Sequence, residues 1–118
     1  MASALVTHPA LRLDDTVHQR VRLGILAVLA EARRADFAYL REALSLTDGN
    51  LSRHLGVLED AGLVEIEKRF EGRRPRTWVQ ATKAGRAAFA EEVAALRELV
   101  ARADDAARTA PPRPGRAT

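Results

Sequence analysis

The stretch that decides the fold of this chain is LTDGNLSRHLGVLEDAGLV, at residues 46–64. Leucines recur in it at the spacing of one face of a helix, at Leu51, Leu55 and Leu58. Thr47 precedes them and is of a residue type that caps helix starts, while Gly62 is of the type that ends helices. The stretch therefore predicts a helix from Asp48 to Ala61 with one buried face.

A second, shorter helix is predicted directly before this one. Asp36 is in position to cap it, and apolar residues at helical spacing support a helix from Phe37 to Ala43. Only the turn at residues 45–47 separates the two helices. A helix, a tight turn and a second helix form the helix-turn-helix pattern.

The chain before Asp36 carries one more predicted helix, from Thr16 to Arg34. Asp14 and Asp15 are expected to cap its start, because carboxylates accept bonds from the free amides of a first turn. Its apolar residues fall on two faces, one with Val17, Val21, Ile25 and Val28 and the other with Leu23, Leu26, Ala27 and Ala30. A helix that is apolar on two sides is usually buried twice, once in its own core and once against a partner.

Beyond Gly62 the apolar residues alternate with charged ones, which predicts a β-strand over residues 63–70. Glycine and proline in residues 71–76 indicate a turn, and residues 77–81 have the composition of a returning strand. Residues 67–76 hold five basic and two acidic side chains, so their net charge of +3 equals that of the whole chain. The sequence thus predicts a hairpin with a basic tip, which suits contact with phosphate or a minor groove. A charged turn that keeps the chain soluble is the simpler interpretation.

A long final helix is predicted from Lys83 to Arg102, with Thr82 as its cap. Apolar residues repeat along it at spacings of four and three, at Phe89, Val93, Leu96, Val100 and Ala103. Because the small core is already filled by the other elements, we expect a second copy of the chain to cover this stripe. Packing of the helix onto its own domain is the alternative.

Together these elements predict a mainly α fold with a small β-hairpin, in the order α-α-α-β-β-α, with a long C-terminal helix. Three segments are expected: an N-terminal arm at residues 1–13, one folded domain at residues 14–103, and a disordered tail rich in Ala, Arg and Pro at residues 104–118. No stretch has the pattern of a signal peptide or a membrane span, and we expect a cytoplasmic protein.

The outer face of the second helix of the pattern is small and polar, with Gly49, Arg53 and Gly56 pointing away from the leucines. Small residues would let the helix lie deep in a DNA major groove, where Asn50 and Arg53 can read adenine and guanine edges. His54 lies beside the leucine face, where it either packs or contacts phosphate. Any solvated helix is polar outside, so this face alone does not establish DNA binding.

Other classes of site find little support in the sequence. The chain has no cysteine, which excludes disulfides, thiolate metal sites and a cysteine nucleophile. Its three histidines, His8, His18 and His54, are not at helical metal-ligand spacing, so we expect neither a metal nor another cofactor. Phosphate-binding glycine loops and nucleophile elbows are missing, and acidic residues such as Glu91 and Glu92 lie on predicted solvated helix faces. We therefore expect no enzymatic activity.

The order of elements and four short motifs resemble the winged-helix transcriptional regulators of the MarR and ArsR kind. The motifs are LTDGNLSRHL at residues 46–55, LEDAGLV at 58–64, GRRPRT at 72–77 and ATKAG at 81–85. The resemblance covers roughly residues 14–103. It implies a winged helix-turn-helix fold with a long C-terminal dimerisation helix. The helix from Asp48 to Ala61 would be the recognition helix, the hairpin would be the wing, and the first and last helices would form the dimer interface.

The predicted function is that of a sequence-specific regulator that binds double-stranded DNA, by resemblance a homodimeric repressor on a palindromic operator. Two alternatives stay open: a winged-helix module that docks onto proteins, and a sensor whose small-molecule effector lies at the dimer interface. The predicted DNA-binding residues of the recognition helix are Thr47, Gly49, Asn50, Ser52, Arg53 and His54. Those of the wing are Lys68, Arg69, Arg73, Arg74 and Arg76. The predicted dimer residues are Val17, Val21, Leu23, Phe89, Val93, Leu96 and Val100.

Overall fold

Residues 8–109 are described by the computed structural model of the chain. Their α-helices are α1 (Arg20–Glu31), α2 (Phe37–Ala43), α3 (Asp48–Asp60) and α4 (Lys83–Thr109), preceded by a short 3₁₀-helix (Pro9–Arg12). The strands are β1 (Ala35–Asp36), β2 (Val64–Glu71) and β3 (Arg74–Ala81), in one antiparallel sheet of order β1-β3-β2. The predicted fold, mainly α with a hairpin in the winged helix-turn-helix order, is confirmed.

The helix-turn-helix forms for local reasons. The Asp36 carboxylate accepts a hydrogen bond from the Tyr39 amide at 2.7 Å, and the Thr47 hydroxyl accepts one from the Asn50 amide at 3.1 Å. Both caps were predicted, and α2 has the predicted bounds. Between the two helices Ser45 adopts a φ of 53°, a left-handed conformation that reverses the chain within the turn.

The core is built around the leucine face of α3. Leu51, Leu55 and Leu58 are at most 2% exposed. They pack with Ile25, Leu26 and Leu29 of α1 and with Val64, Val79 and Ala81 at the base of the hairpin. Full burial of a leucine side chain contributes roughly 1.5–3 kcal/mol, so this one stripe determines which face of α3 points outward.

The hairpin is longer and tighter than predicted. Strands β2 and β3 pair along their whole length and leave only Gly72 and Arg73 in the turn. Gly72 has a φ of 66°, as a two-residue hairpin turn requires. The prediction of a turn over residues 71–76 was wrong because it took Pro75 as a strand breaker. The missing amide of Pro75 is tolerated because β1 pairs with β3 only further along, and no other described strand covers that edge.

The third strand, β1, was not predicted. Ala35 pairs with Val79 and Asp36 pairs with Trp78, so β1 lies on the second edge of β3 at the base of the hairpin. Two residues are too few to show an alternating pattern, and no sequence signal marks this strand. Through β1 the start of α2 is bound to the wing.

Helix α1 is shorter at both ends than the predicted range of residues 16–34. Its cap is Gln19, whose side chain accepts hydrogen bonds from two amides of the first turn at 2.9 and 3.0 Å. Asp14, one of the two predicted caps, instead caps the preceding turn by accepting a bond from the Thr16 amide at 2.8 Å. The acidic cap is of the right type but lies one turn too early to start the helix.

Both ends of the described chain carry helix where none was predicted. Residues 9–12 of the expected arm form the 3₁₀-helix, which packs against α4. Helix α4 continues to Thr109, so the predicted helix end at Arg102 and the start of a disordered tail at residue 104 are wrong as far as residue 109. Residues 1–7 of the arm and 110–118 of the tail lie outside the described residues. Among residues 8–109, no helix is both long and apolar enough to cross a membrane.

Candidate nucleic-acid interface

The outer face of α3 is smooth because two glycines lie on it, one above the other. Gly49 and Gly56 are seven residues apart, close to two helical turns, with exposed Ser52 and Arg53 between them. Beyond the backbone of α3 itself and the two chain neighbours, a Cβ at either glycine would meet no atom of residues 8–109 within 4 Å. Glycine inside a helix costs roughly 1 kcal/mol of stability relative to alanine. Since alanine would fit at both positions, packing within the domain does not explain why glycine is there.

Two other helical glycines show what an internal reason looks like. A Cβ at Gly24 would lie 2.9 Å from the Leu44 side chain, and one at Gly85 would collide with the Leu63 carbonyl oxygen. Those positions need glycine for packing. Gly49 and Gly56 instead leave room for something outside the domain.

The two side chains predicted to read bases stand at this outer face. Arg53 donates to Asn50 Oδ1 across 3.4 Å, and both residues are exposed. A hydrogen bond of this length between exposed groups is weak, so either side chain can exchange it for a base edge. Thr47 and Ser52 are also exposed, although the Thr47 hydroxyl is occupied as the helix cap.

His54 faces the core, which removes it from the predicted DNA-binding set. It is 7% exposed, and its Nδ1 lies 3.2 Å from Arg22 Nη1 of α1. Because Arg22 can only donate, Nδ1 must accept, and the ring is neutral in this arrangement. Arg22 also donates from Nε to the Thr16 carbonyl oxygen at 2.6 Å. Burial, with the nearby charges of Arg53 and Arg22, lowers the pKa of His54.

The wing, residues 67–76, is exposed throughout, but its five predicted basic side chains are not equivalent. Arg69 forms an ion pair with Glu67, and Arg76 is paired with two carboxylates. Within the part of the chain that the structure describes, the other three form no ion pair, and they are Lys68, Arg73 and Arg74. We call these three the free cations of the wing.

Arg76 fastens the wing to the domain. Its Nε and Nη2 donate to Asp36 Oδ2 at 2.9 and 2.7 Å, and its Nη1 donates to Glu71 Oε2 at 2.8 Å. Its guanidinium lies 4.7 Å from the centroid of the Trp78 ring, which Arg34 approaches to 4.0 Å. The bonds to the two carboxylates raise the pKa of Arg76. Arg76 is therefore engaged inside the protein, unlike the free cations.

A groove of about 630 Å³ joins the outer face of α3 to the wing. Ser52 and Gly56 line one side of it, and Lys68 and Thr77 line the other. Two carboxylates also line it, Glu59 and Asp48, of which Asp48 is paired with Arg41. The predicted helix and wing thus border one continuous surface. This arrangement suits a duplex whose major groove takes the helix and whose backbone or minor groove takes the ribbon.

The predicted dimer residues divide into buried and open ones. Val17 is fully buried in the core, which excludes it from an interface between copies. Five are half-buried, of which the first three pack against the core: Val21, Leu23, Phe89, Val93 and Leu96. Val100 is 59% exposed, and every residue of α4 after it is exposed. The open part of the stripe is therefore its C-terminal end.

One buried carboxylate was missed by the sequence patterns. Glu92, predicted on a solvated helix face, is 1% exposed. Its Oε1 accepts a bond from the Asp14 amide at 3.0 Å, and its Oε2 lies 2.7 Å from His18 Nδ1. The chain before α1 covers α4 at this point. No pattern on α4 could show it, because Asp14 is 78 positions away.

Comparison with known families agrees with the arrangement of α3 and the wing. A family model described as a winged helix DNA-binding domain matches residues 21–100. This chain belongs to that family. The match spans nearly all of α1, the helix-turn-helix, the wing and the first two thirds of α4. These elements form the candidate surface or hold it in place.

The winged helix protein is also similar to one protein by sequence and to several solved structures. An uncharacterized protein of Methanocaldococcus jannaschii is 42% identical over 79 residues, which cover 67% of this chain and 86% of that protein. A transcriptional regulator homologue from Pyrococcus horikoshii OT3 is 32% identical with a TM-score of 0.72, over 87% of this chain and 95% of that one. NadR, solved in complex with 4-hydroxyphenylacetate, is 25% identical with a TM-score of 0.64, over 88% and 73%. The predicted resemblance to MarR-like winged helix regulators is confirmed.

Proposed function

We propose that this winged helix protein is a sequence-specific regulator that binds double-stranded DNA as a homodimer and represses transcription from a palindromic operator. The observation that carries the proposal is the outer face of α3, where Gly49 and Gly56 leave room that nothing in residues 8–109 fills. A DNA major groove admits a helix of this kind. Family membership supports DNA as the partner, which also sets the protein in the compartment that holds the chromosome.

The two parts of the surface have different tasks in this proposal. Asn50 and Arg53 read bases, because an amide can pair with adenine and a guanidinium with guanine. The free cations Lys68, Arg73 and Arg74 neutralise phosphates and release counterions, which adds affinity without reading sequence.

The long helix α4 supplies the homodimer contact in this proposal. Its residues from Val100 to Thr109 are exposed, whereas a helix in a protein takes most of its stability from packing of one face. A second copy is the cover we infer. Two-fold pairing would set two α3 helices about 34 Å apart for successive major grooves, which is why we propose a palindromic operator. Occupation of such an operator is the basis for proposing repression.

Binding to two duplexes tests the proposal. One carries the promoter upstream of the protein's own gene and the other a scrambled sequence, and salt is raised from about 50 to 200 mM. We expect the promoter duplex to bind about 10³-fold more tightly or better. Arg53→Ala should lower that preference by about 1–3 kcal/mol. Arg33→Ala, which removes an exposed arginine between α1 and β1, is the matched control and should keep the preference.

Each other outcome has a defined meaning. Equal binding of both duplexes, together with no enrichment from a pool of random duplexes, would overturn sequence-specific binding and favour the protein-docking alternative. Equal losses for Arg53→Ala and Arg33→Ala would overturn the role given to α3. Promoter binding that depends on an added small molecule would support the effector-gated alternative.

A further inference from the structure

Phe70 stands at the end of the wing with its ring in solvent. It is 75% exposed, in a chain with only three phenylalanines. Burial decreases along one face of β2 toward the hairpin turn: Val64 is buried, Ile66 is half-buried and Phe70 is exposed. Packing in the core of residues 8–109 therefore does not account for an aromatic side chain at this position.

The ring lies on the side of the wing that borders α3. Alternate residues of a strand share one face, so Phe70 follows Ile66 and Lys68, which both line the groove beside α3. Its partner across the hairpin is Pro75, which lies on the same face of β3 as Thr77, and Thr77 lines the same groove. We call Phe70 and Pro75 the tip ridge. It extends the proposed DNA surface outward by about 7 Å beyond Lys68.

The tip ridge is set among positive charges. Lys68 precedes it on the same face, and Arg73 lies in the turn between its two residues. Arg74 lies there too, but on the opposite face of β3 and across from Glu71, which is paired with Arg76. A narrow apolar ridge beside unpaired cations matches the minor groove of DNA, which has phosphates along its walls and base pairs at its floor. A protein partner fits the wing less well than DNA does. An apolar protein surface would give the three cations no negative charge to pair with, and an acidic protein surface would give the phenylalanine ring no apolar contact.

We propose that Phe70 is a wedge that enters the minor groove beside the site of α3 and partly unstacks one base step. Proteins that insert phenylalanine or proline in this way bend the duplex by roughly 20–90°. The wedge rests on the proposed function, since α3 must be seated on the duplex first. It adds to the wing a readout of how easily a base step deforms, beyond phosphate contact.

Fluorescence of the DNA itself tests the wedge. The probe is the promoter duplex, or the best duplex from the random pool, with 2-aminopurine replacing one adenine at a time and with a donor and acceptor dye at its ends. We expect wild-type protein to raise the 2-aminopurine signal at the step under each wing and to shorten the end-to-end distance. Phe70→Ala should lose both signals and bind about tenfold less tightly. Phe70→Leu should keep much of both, because it remains an apolar wedge.

Arg73→Ala is the control within the wing. It should weaken binding and lower the salt dependence while both DNA signals persist. Phe70→Ala should keep the thermal midpoint of the wild type, because the ring makes no core contact. Wild-type signals in Phe70→Ala would overturn the wedge, as would a changed oligomeric state of Phe70→Ala without DNA. Specific binding by wild type with no unstacking overturns the wedge alone, whereas no preference for any duplex overturns the proposed function and the wedge together.

Discussion

Single residues of α3 divide between stability and binding. Gly49 and Gly56 weaken the helix on its outer side without any packing benefit, whereas His54 is locked to Arg22 on the inner side. The leucine face that separates the two sides is a period within one helix, so it could be predicted. The direction of His54 could not, because the ring stands at the edge of that face and its partner is 32 positions away.

Alanine at the outer glycines should stabilise the protein and weaken DNA binding. Gly56→Ala should raise the free energy of unfolding by about 0.5–1 kcal/mol, because alanine is the better helix former and its methyl group meets no neighbour. Gly49→Ala should gain less, since it lies in the first turn. Urea unfolding and duplex binding of the same variants measure both effects.

A packing glycine provides the control for this prediction. Gly85→Ala should destabilise the protein, because its methyl group would collide with the Leu63 carbonyl oxygen. A Gly56→Ala protein that is more stable and binds the promoter duplex as tightly as wild type would contradict the close approach proposed for α3.

Acid should destabilise the protein through His54. Burial is the main cause of its lowered pKa, so the unfolded chain, with an ordinary value of about 6.5, binds this proton more tightly than the folded chain. The stability that neutral His54 contributes is complete above about pH 6.5 and is lost as the pH falls through 6.5 to the folded-state pKa. Urea unfolding between about pH 5 and 8 should show a flatter pH dependence for His54→Gln than for wild type. Equal steepness would show that His54 does not carry the effect.

Among the elements, the wing takes its charge from its own sequence and its anchorage from elsewhere. Its basic composition was predicted, but its two-residue turn and the strand β1 were not. Strand β1 brings Asp36 beside Trp78, and this carboxylate engages Arg76. One basic stretch thus contains an anchoring arginine and three free cations, a difference that composition cannot show.

Arg76 and Arg73 should therefore respond differently to replacement by alanine. Arg76→Ala should shift the emission of Trp78, the only tryptophan, because the guanidinium lies over its ring. It should also lower the thermal midpoint slightly, since the ion pairs it removes are partly exposed. Arg73→Ala should leave the emission unchanged and lower the slope of log K against log salt by about 0.9 for each lost phosphate contact. The opposite assignment of the two effects would contradict the anchoring role.

At the scale of the whole molecule, the segment before α1 packs along α4 and determines which part of that helix stays exposed. Arg12 is paired with Glu98, and His18 contacts the buried Glu92. This segment covers the middle of the long helix and leaves the end from Val100 onward open. An interface between copies is thus expected at the C-terminal end of α4 and not along the whole predicted stripe.

A charge at Val100 should separate the copies. Light scattering of wild type should give about twice the chain mass of 12.9 kDa, and Val100→Asp should give the monomer mass with the fold intact, because the side chain is 59% exposed. Tyr39→Asp, at an exposed residue of α2, is the matched control and should remain dimeric. A monomeric wild type would show that there is no contact between copies. A dimeric Val100→Asp would show that the contact lies elsewhere on the molecule.

The sequence by itself determined the helix-turn-helix, its caps at Asp36 and Thr47, the inward face of α3, and the hairpin with its excess of basic residues. Each of these depends on neighbours within a few positions: a helical period, a cap three residues before its amide, or an alternation along one strand. The resemblance to winged helix regulators could be recognised on the same short motifs.

Only the tertiary structure decided which side chains remain available. In the folded chain Val17, His54 and Glu92 are buried, Arg76 is hydrogen-bonded to Asp36, and Phe70 is exposed to solvent. These outcomes depend on partners brought together from distant parts of the chain, such as Arg76 and Asp36 at a separation of 40 positions. Short-range patterns report the propensity of a segment, whereas burial and ion pairing depend on how the segments pack, and no local period encodes that.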